Sequence, residues 1–268
     1  MPPIDHKKII VIKIGGSVLA DLPNRFYQDL LQMQKEGWLP IIVHGGGPSI
    51  TSMLNKLGVT SSFVKGLRVT DKETLEVVQM VLNGKENKEI VKKIHAVGGT
   101  AFGLSGIDGG MIEAMPLEPE LGYVGKVQNV RFPQFLLQTN MVIPVISPLG
   151  MDNQGQIYNI NADTVAQAIA TKLKAKKLVM VSDIPGIYQE MDGKKSILSH
   201  LNIEEIKPLI ETNQLTGGMI PKVEAAIQCI NQGIDEVYII DGKEEGILFR
   251  ILQGQQAGTK IEKKAVVI

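Results

Sequence analysis

The residues best suited to chemistry sit where apolar strands run out. Ile9-Ile10-Val11-Ile12 leads into Lys13-Ile14-Gly15-Gly16, and Ile41-Ile42-Val43 leads into His44-Gly45-Gly46-Gly47. Glycine lets backbone come within hydrogen-bonding distance of a ligand, because no side chain stands between them. Successive N–H groups in such turns form anion-binding concavities, and a lysine beside them adds a mobile point charge suited to phosphate. Two strand ends so equipped predict a site for a phosphorylated ligand.

Three more residues stand out, each with a plain structural reading beside the functional one. Lys222 follows Gly217-Gly218-Met219-Ile220-Pro221, with Pro221 set for a first helical turn. A cation there opposes the helix dipole, and a bound anion would reverse that sign; an exposed lysine at a tolerable energetic penalty is the alternative. Asp163, in Asn159-Ile160-Asn161-Ala162-Asp163, could simply cap a helix. Arg68, in Gly66-Leu67-Arg68-Val69-Thr70, is either a solvated arginine or a fork for a carboxylate.

Several familiar motifs are absent. There is no Gly-x-x-x-x-Gly-Lys-Ser/Thr, no His-Arg-Asp with Asp-Phe-Gly, no His-Glu-x-x-His, no paired Cys-x-x-Cys and no Gly-x-Ser-x-Gly. P-loop, protein-kinase, zinc and serine-hydrolase chemistries are thereby set aside.

The elements that must hold these residues alternate strand and helix, which predicts an α/β fold with a mostly parallel sheet. Helical patterns cover 24–36, 48–57 (closed by Gly58), 161–174, 203–212 and 221–232, and strands cover 141–146, 177–182 and 237–240. Thr70-Asp71-Lys72-Glu73 has the form of a capping box opening one long helix towards His95. Val78, Val81 and Leu82 form its apolar stripe. Residues 98–125 read as short hairpins. A soft boundary falls near Lys176, giving lobes 1–176 and 177–268. The basic group Lys172, Lys174, Lys176 and Lys177 reads as a solvated helix C-terminus.

The chain has 268 residues, 44% hydrophobic and 21% charged, and Lys+Arg and Asp+Glu both total 28. No bulk field attracts nucleic acid or an anionic membrane, and 4% aromatics argue against a base-stacking platform. No apolar run is long enough to span a bilayer. The single cysteine, Cys229, reads as a small buried hydrophobe. A cytoplasmic enzyme or binding protein is the expected class.

Taken in order, Lys-x-Gly-Gly, His-Gly-Gly-Gly-Pro, Gly-Leu-Arg-Val-Thr, Asn-x-Asn-Ala-Asp, Ser-Asp-Ile-Pro-Gly and Gly-Gly-Met-x-Pro-Lys resemble the amino-acid kinase family over nearly the whole chain. Gly66-Leu67-Arg68-Val69-Thr70 beside Asn159-x-Asn161-Ala162-Asp163 is most similar to members whose acceptor is N-acetyl-L-glutamate, in arginine biosynthesis. The resemblance implies an open three-layer αβα sandwich with a mainly parallel central sheet. It also implies transfer of the γ-phosphoryl group of ATP, with Mg²⁺ carried by the nucleotide, to the acceptor's side-chain carboxylate.

By the same resemblance, Lys13 and Lys222 would stabilise the transferring group and Asp163 would hold both lysines. Gly46, Gly47, Arg68 and Asn159 would bind the acceptor. Gly15, Gly16, Ser182, Asp183, Gly186, Tyr188, Leu215, Thr216, Gly218 and Met219 would embrace the nucleotide. The acceptor carboxylate, with an ordinary pKa of about 4.3, is already ionised at pH 7 and needs no general base. His44 is therefore expected to fix its loop rather than move protons. Arginine-inhibited members carry an extra N-terminal helix, whereas here two prolines precede Lys8. A homodimer without arginine feedback, joined through the 70–95 helix, is expected. A kinase of a related acid such as an aminoadipate derivative, a non-catalytic sensor on the same fold, and an enzyme run towards ATP synthesis are the rivals.

Overall fold

Strand β1 (Ile9–Ile14) is buried along almost its whole length, as the centre of a parallel sheet requires. The computed structural model describes residues 8–138, 141–191, 194–212, 215 and 219–263. Around β1 the main sheet contains β2 (Leu39–His44), β3 (Ala101–Ser105), β4 (Ile143–Ser147), β5 (Lys177–Ser182), β6 (His200–Asn202), β7 (Glu236–Asp241) and β8 (Thr259–Glu262). The order is β6-β8-β7-β5-β1-β2-β4-β3, and only the β7–β8 pairing is antiparallel.

Side-chain alternation along β1 decides the layers. Ile10, Ile12 and Ile14 face α1 (Asn24–Lys35), α4 (Asn87–Ala96) and α9 (Ile247–Leu252). Ile9 and Val11 face the opposite layer, where α6 (Ala162–Lys172), α7 (Ile203–Glu211) and α8 (Met219–Asn231) pack. The result is the expected three-layer sandwich. Between these helices in the chain come α2 (Gly47–Leu57), α3 (Lys72–Gln79) and the short α5 (Gln134–Leu137). A second, four-stranded sheet contains Ile112–Pro116, Gly125–Val130, Leu149–Met151 and Ile157–Asn159. The main sheet runs uninterrupted past the boundary read near Lys176, because β5 pairs directly with β1.

Three expectations need correction. Residues 98–125 are not all hairpins, because Ala101–Ser105 pairs in parallel with Ile143–Ser147 at the edge of the main sheet. The helix anticipated over 70–95 is not one α-helix: α3 passes into a π-helical stretch, Met80–Glu86, and then into α4. Its cap is Asp71, whose Oδ1 accepts from Thr74 N at 2.7 Å. Thr70 cannot serve as the cap, since its buried hydroxyl donates to Arg68 O at 2.8 Å. Lys177 is not part of a solvated helix end either. It opens β5, is buried, and pairs with Glu236, its register partner on β7. Its ammonium also lies over the rings of Trp38 and Tyr238.

Candidate active site

Lys13 continues the face of Ile9 and Val11, so its side chain leaves β1 on the side of α6 and α8. Its register partners are Met180 on β5 and Val43 on β2. At this edge the C-terminal ends of parallel strands meet the N-terminal ends of helices, the usual site location in open α/β sheets. Asp163, in the first turn of α6, brings Oδ1 to 2.9 Å from Lys13 Nζ. Asn161 caps that helix, accepting from Asp163 N at 2.8 Å.

Lys222 arrives from the first turn of α8 and donates to Ser182 Oγ at 2.7 Å. Ser182 Oγ in turn donates to Asp183 Oδ1 at 3.0 Å. Burial lowers the Lys222 pKa from the ordinary lysine value; the charges of Asp183 and Asp163 raise it, and that of Lys13 lowers it. The two lysines therefore lie within electrostatic reach of one another. They line one cavity of about 380 Å³ together with Asn161, Asp163, Met180 and Ser182. Two cations crowded into one partly desolvated space favour an anion between them. Asp163 braces Lys13 directly, whereas the hydrogen-bond partner of Lys222 is Ser182.

The two glycine loops touch backbone to backbone. A Cβ on Gly16 would lie 2.7 Å from Gly46 N and 2.9 Å from Gly47 N. Gly15 N donates to Val181 O at 3.0 Å and Gly45 N to Ile14 O at 2.8 Å, which ties both loops to β1 and β5. No described residue accepts a hydrogen bond from the N–H of Gly16, Gly46 or Gly47. Unpaired backbone donors of this kind call for an external acceptor.

A second cavity, of about 190 Å³, is lined by Gly46, Gly47, Phe63, Arg68, Asn159 and Asn161 among others. Asn161 lines both cavities. Arg68 is buried and lies on the short hairpin formed by Phe63–Val64 and Leu67–Arg68. It donates to Ser61 Oγ, to Thr51 Oγ1 at 2.7 Å and to Gly47 O at 3.2 Å, and its guanidinium lies 4.6 Å from the centre of the Phe63 ring. Burial lowers its pKa. Among the described residues no carboxylate comes within ion-pair distance of Arg68, so this buried cation suits an anionic ligand. Asn159 Nδ2 donates to Thr70 Oγ1 at 3.2 Å, which fixes the opposite wall.

The remaining anticipated residues are placed less directly. Gly186 (φ 151°) lets the loop after β5 pack on Thr259, whose Oγ1 would lie 2.7 Å from a Cβ. It lines neither cavity, and neither do Asp183 and Tyr188. Leu215 and Met219 are buried in the apolar core facing α6. Thr216 and Gly218 lie outside the described residues. Sequence reading missed Ser61, Thr51 and Asn87, neutral residues with no motif, whose parts depend on neighbours far away in the chain.

The amino acid kinase family matches residues 8–241. Acetylglutamate kinase of Desulforamulus reducens is 47% identical, covering 95% of this chain and 91% of that protein. Acetylglutamate kinase of Brevibacillus brevis is 45% identical, covering 94% and 96%. Among solved structures, smu.665 from Streptococcus mutans UA159 superposes with a TM-score of 0.80 at 28% identity, over 96% of this chain and 99% of that one. With this identity over more than nine-tenths of both chains, the chain belongs to the amino acid kinase family, in its acetylglutamate kinase branch.

Proposed function

We propose that this protein phosphorylates the side-chain carboxylate of N-acetyl-L-glutamate with ATP, giving N-acetyl-L-glutamyl 5-phosphate and ADP in arginine biosynthesis. The observation that carries this reading is the pair of cavities meeting at Asn161. One holds Lys13, Lys222 and Asp163; the other holds Arg68 and Asn159. Kinase relatives of nearly equal length support it.

The residues fit the chemistry. Phosphoryl transfer to an ionised carboxylate requires alignment and cancellation of negative charge, with no proton to remove. Lys13 and Lys222 supply the charge, and Asp163 keeps the Lys13 ammonium aimed into the cavity. The N–H groups of Gly46 and Gly47, which line the second cavity, and of Gly16, packed against them, would suit oxygens of the transferring group. Arg68 takes the acceptor's α-carboxylate, and Asn159 helps to hold the acceptor. Burial of Lys222 becomes favourable once phosphate oxygens lie beside it. Mg²⁺ would be carried by the nucleotide's phosphates and would supply further neutralisation of phosphate charge.

The acceptor falls to the lobe before residue 177 and the nucleotide to the lobe after it. There Ser182, Asp183, Gly186, Tyr188, Leu215 and Met219, joined by Gly15 from the loop after β1, would contribute mainly backbone and loop shape. ATP as donor and a lone buried Cys229 suit a cytoplasmic enzyme. Assembly as a homodimer through the β3 edge and the Met80–Glu86 stretch is supported by exposed Phe102 and Met80.

A coupled assay for ADP release tests the reading. Release should require N-acetylglutamate and be much slower with glutamate, aspartate or aminoadipate derivatives. Release independent of acceptor, or a requirement for a free α-amino group, would refute it.

A further inference from the structure

His44 and Asn87 form a buried pair that the chemistry above does not use. Neither side chain has any exposed surface. His44 Nδ1 lies 3.0 Å from Gly45 O and Nε2 lies 3.3 Å from Asn87 Nδ2. A carbonyl only accepts, so Nδ1 carries the proton and Nε2 must accept from the Asn87 amide. Asn87 Nδ2 is also 2.9 Å from Val145 O and 3.2 Å from Leu104 O, which anchors it to β4 and β3; its two protons are shared among three acceptors, His44 Nε2 being the farthest. This amide is so close to β3 that a Cβ at Gly103 would lie 2.0 Å from Asn87 Oδ1.

The pair acts on one peptide bond. Gly45 O points at the imidazole, and in a trans peptide the following N–H points the opposite way. That N–H belongs to Gly46, whose nitrogen faces Gly16 across the junction. On the far side Gly46 is packed against Leu82 of the π-helical stretch, with Leu82 Cδ2 2.7 Å from where a Cβ would be. Asn87 is the first residue after that stretch. Asn83, one turn earlier, bonds Ser147 Oγ at the end of β4.

We infer that Asn87 is a positioning residue: it dictates the Nδ1–H tautomer of His44, and that tautomer holds the Gly45–Gly46 peptide so that Gly46 N–H faces the transferring phosphoryl group. The inference rests on the kinase reading and assigns parts to residues outside the motif set. It agrees with burial, which pushes the His44 pKa down to about 4 and keeps the ring neutral at working pH.

The informative variant is Asn87→Asp. Among the described residues, the charged groups acting on His44 are Glu86 from the π-helical stretch and Lys88 from α4; from β3 and β4 the carbonyls of Leu104 and Val145 reach its partner Asn87. An ionised carboxylate in place of the Asn87 amide accepts only and would face the carbonyls of Val145 and Leu104, so besides Lys88 it draws its proton from Nε2. At low pH the imidazolium satisfies both the new carboxylate and Gly45 O. At higher pH the single remaining proton stays on Nε2 and the Nδ1 lone pair faces Gly45 O. The hold on the peptide is then lost as pH rises.

The experiment measures kcat and KM of wild type and Asn87→Asp between pH 6 and 9, with circular dichroism to verify folding. The His44 tautomer of the wild type is read by ¹⁵N NMR, assigned against His44→Gln. In the variant kcat should fall about tenfold or more towards high pH, part of the loss expected for one oxyanion donor. KM for both substrates should stay within about twofold. Wild type should lack this limb and show Nδ1–H. An Nε2–H tautomer in wild type overturns the inference even if the variant fails to fold. So does a variant with unchanged kcat, or with a loss independent of pH. Absence of wild-type turnover on N-acetylglutamate would instead remove the kinase reading and leave the tautomer test standing.

Discussion

Lys13 and Lys222 differ in how they are held, and the difference is testable. Lys13 is paired with Asp163, so replacing it by Met removes the charge while the buried strand around it stays packed. Turnover of Lys13→Met should fall about 10²–10³-fold with thermal stability nearly unchanged. Wild-type turnover would contradict its role. Lys222 is instead held by a neutral hydroxyl and carries a burial-lowered pKa, partly restored by Asp183. The protonated form is the useful one, so kcat/KM should decline on the alkaline side below the ordinary lysine value of 10.5. Asp183→Asn removes a charge that raises the pKa and should move that limb to lower pH; a pH–rate profile with an unmoved limb would count against it. Arg68→Lys keeps the charge but loses the fork. The acceptor's KM should rise about 10- to 100-fold, the worth of a charged hydrogen bond, with a smaller change in kcat.

At the scale of elements, the site is a meeting of loops and helix starts. The loop after β1 and the loop after β2 fit together only because both are glycine where they touch. A methyl on Gly16 meets the backbone nitrogens of Gly46 and Gly47, which cannot rotate away as a flexible side chain could. Gly16→Ala should therefore lower kcat strongly and destabilise the fold by about 1–3 kcal/mol, as overpacking does. Kinetics paired with a denaturant titration checks both; full activity would mean the loops can separate without consequence. The π-helical stretch Met80–Glu86 plays a related part, bringing Leu82 onto Gly46 and Asn87 onto His44. Such stretches recur at functional sites because they re-aim side chains within a helix.

On the scale of the whole molecule, the segments before and after residue 177 share one sheet. Asp29 of α1 accepts from Phe249 N of α9 at 3.3 Å, so a helix near the C-terminus is capped by one near the N-terminus. At the far edge, β3 exposes Phe102 and the π-helical stretch exposes Met80. Light scattering should give twice the chain mass for wild type. The double variant Met80→Asp and Phe102→Asp should give the single mass with the active site intact. A dimer that survives both changes would place the interface elsewhere.

The sequence alone determined what is local. Apolar runs ending in Lys-x-Gly-Gly and His-Gly-Gly-Gly marked two strand ends, and periodicity marked helices α1, α2, α6, α7 and α8. These signals are legible because strand alternation and helix capping depend on residues a few positions apart. It also singled out Lys13, Asp163, Lys222 and Arg68 as candidates, and the order of its motifs implied the sandwich through family resemblance. Sequence reading missed the short β6 and β8 and α9, whose patterns span too few residues to rise above loops. Only the tertiary structure decided that Lys222 bonds Ser182 rather than Asp163, that Lys177 is buried against Glu236, and that Asn87 reaches His44. Each is a contact between residues 40 to 59 positions apart. A neutral or lone charged side chain carries no sign of its partner until sheet order and helix packing bring the two together.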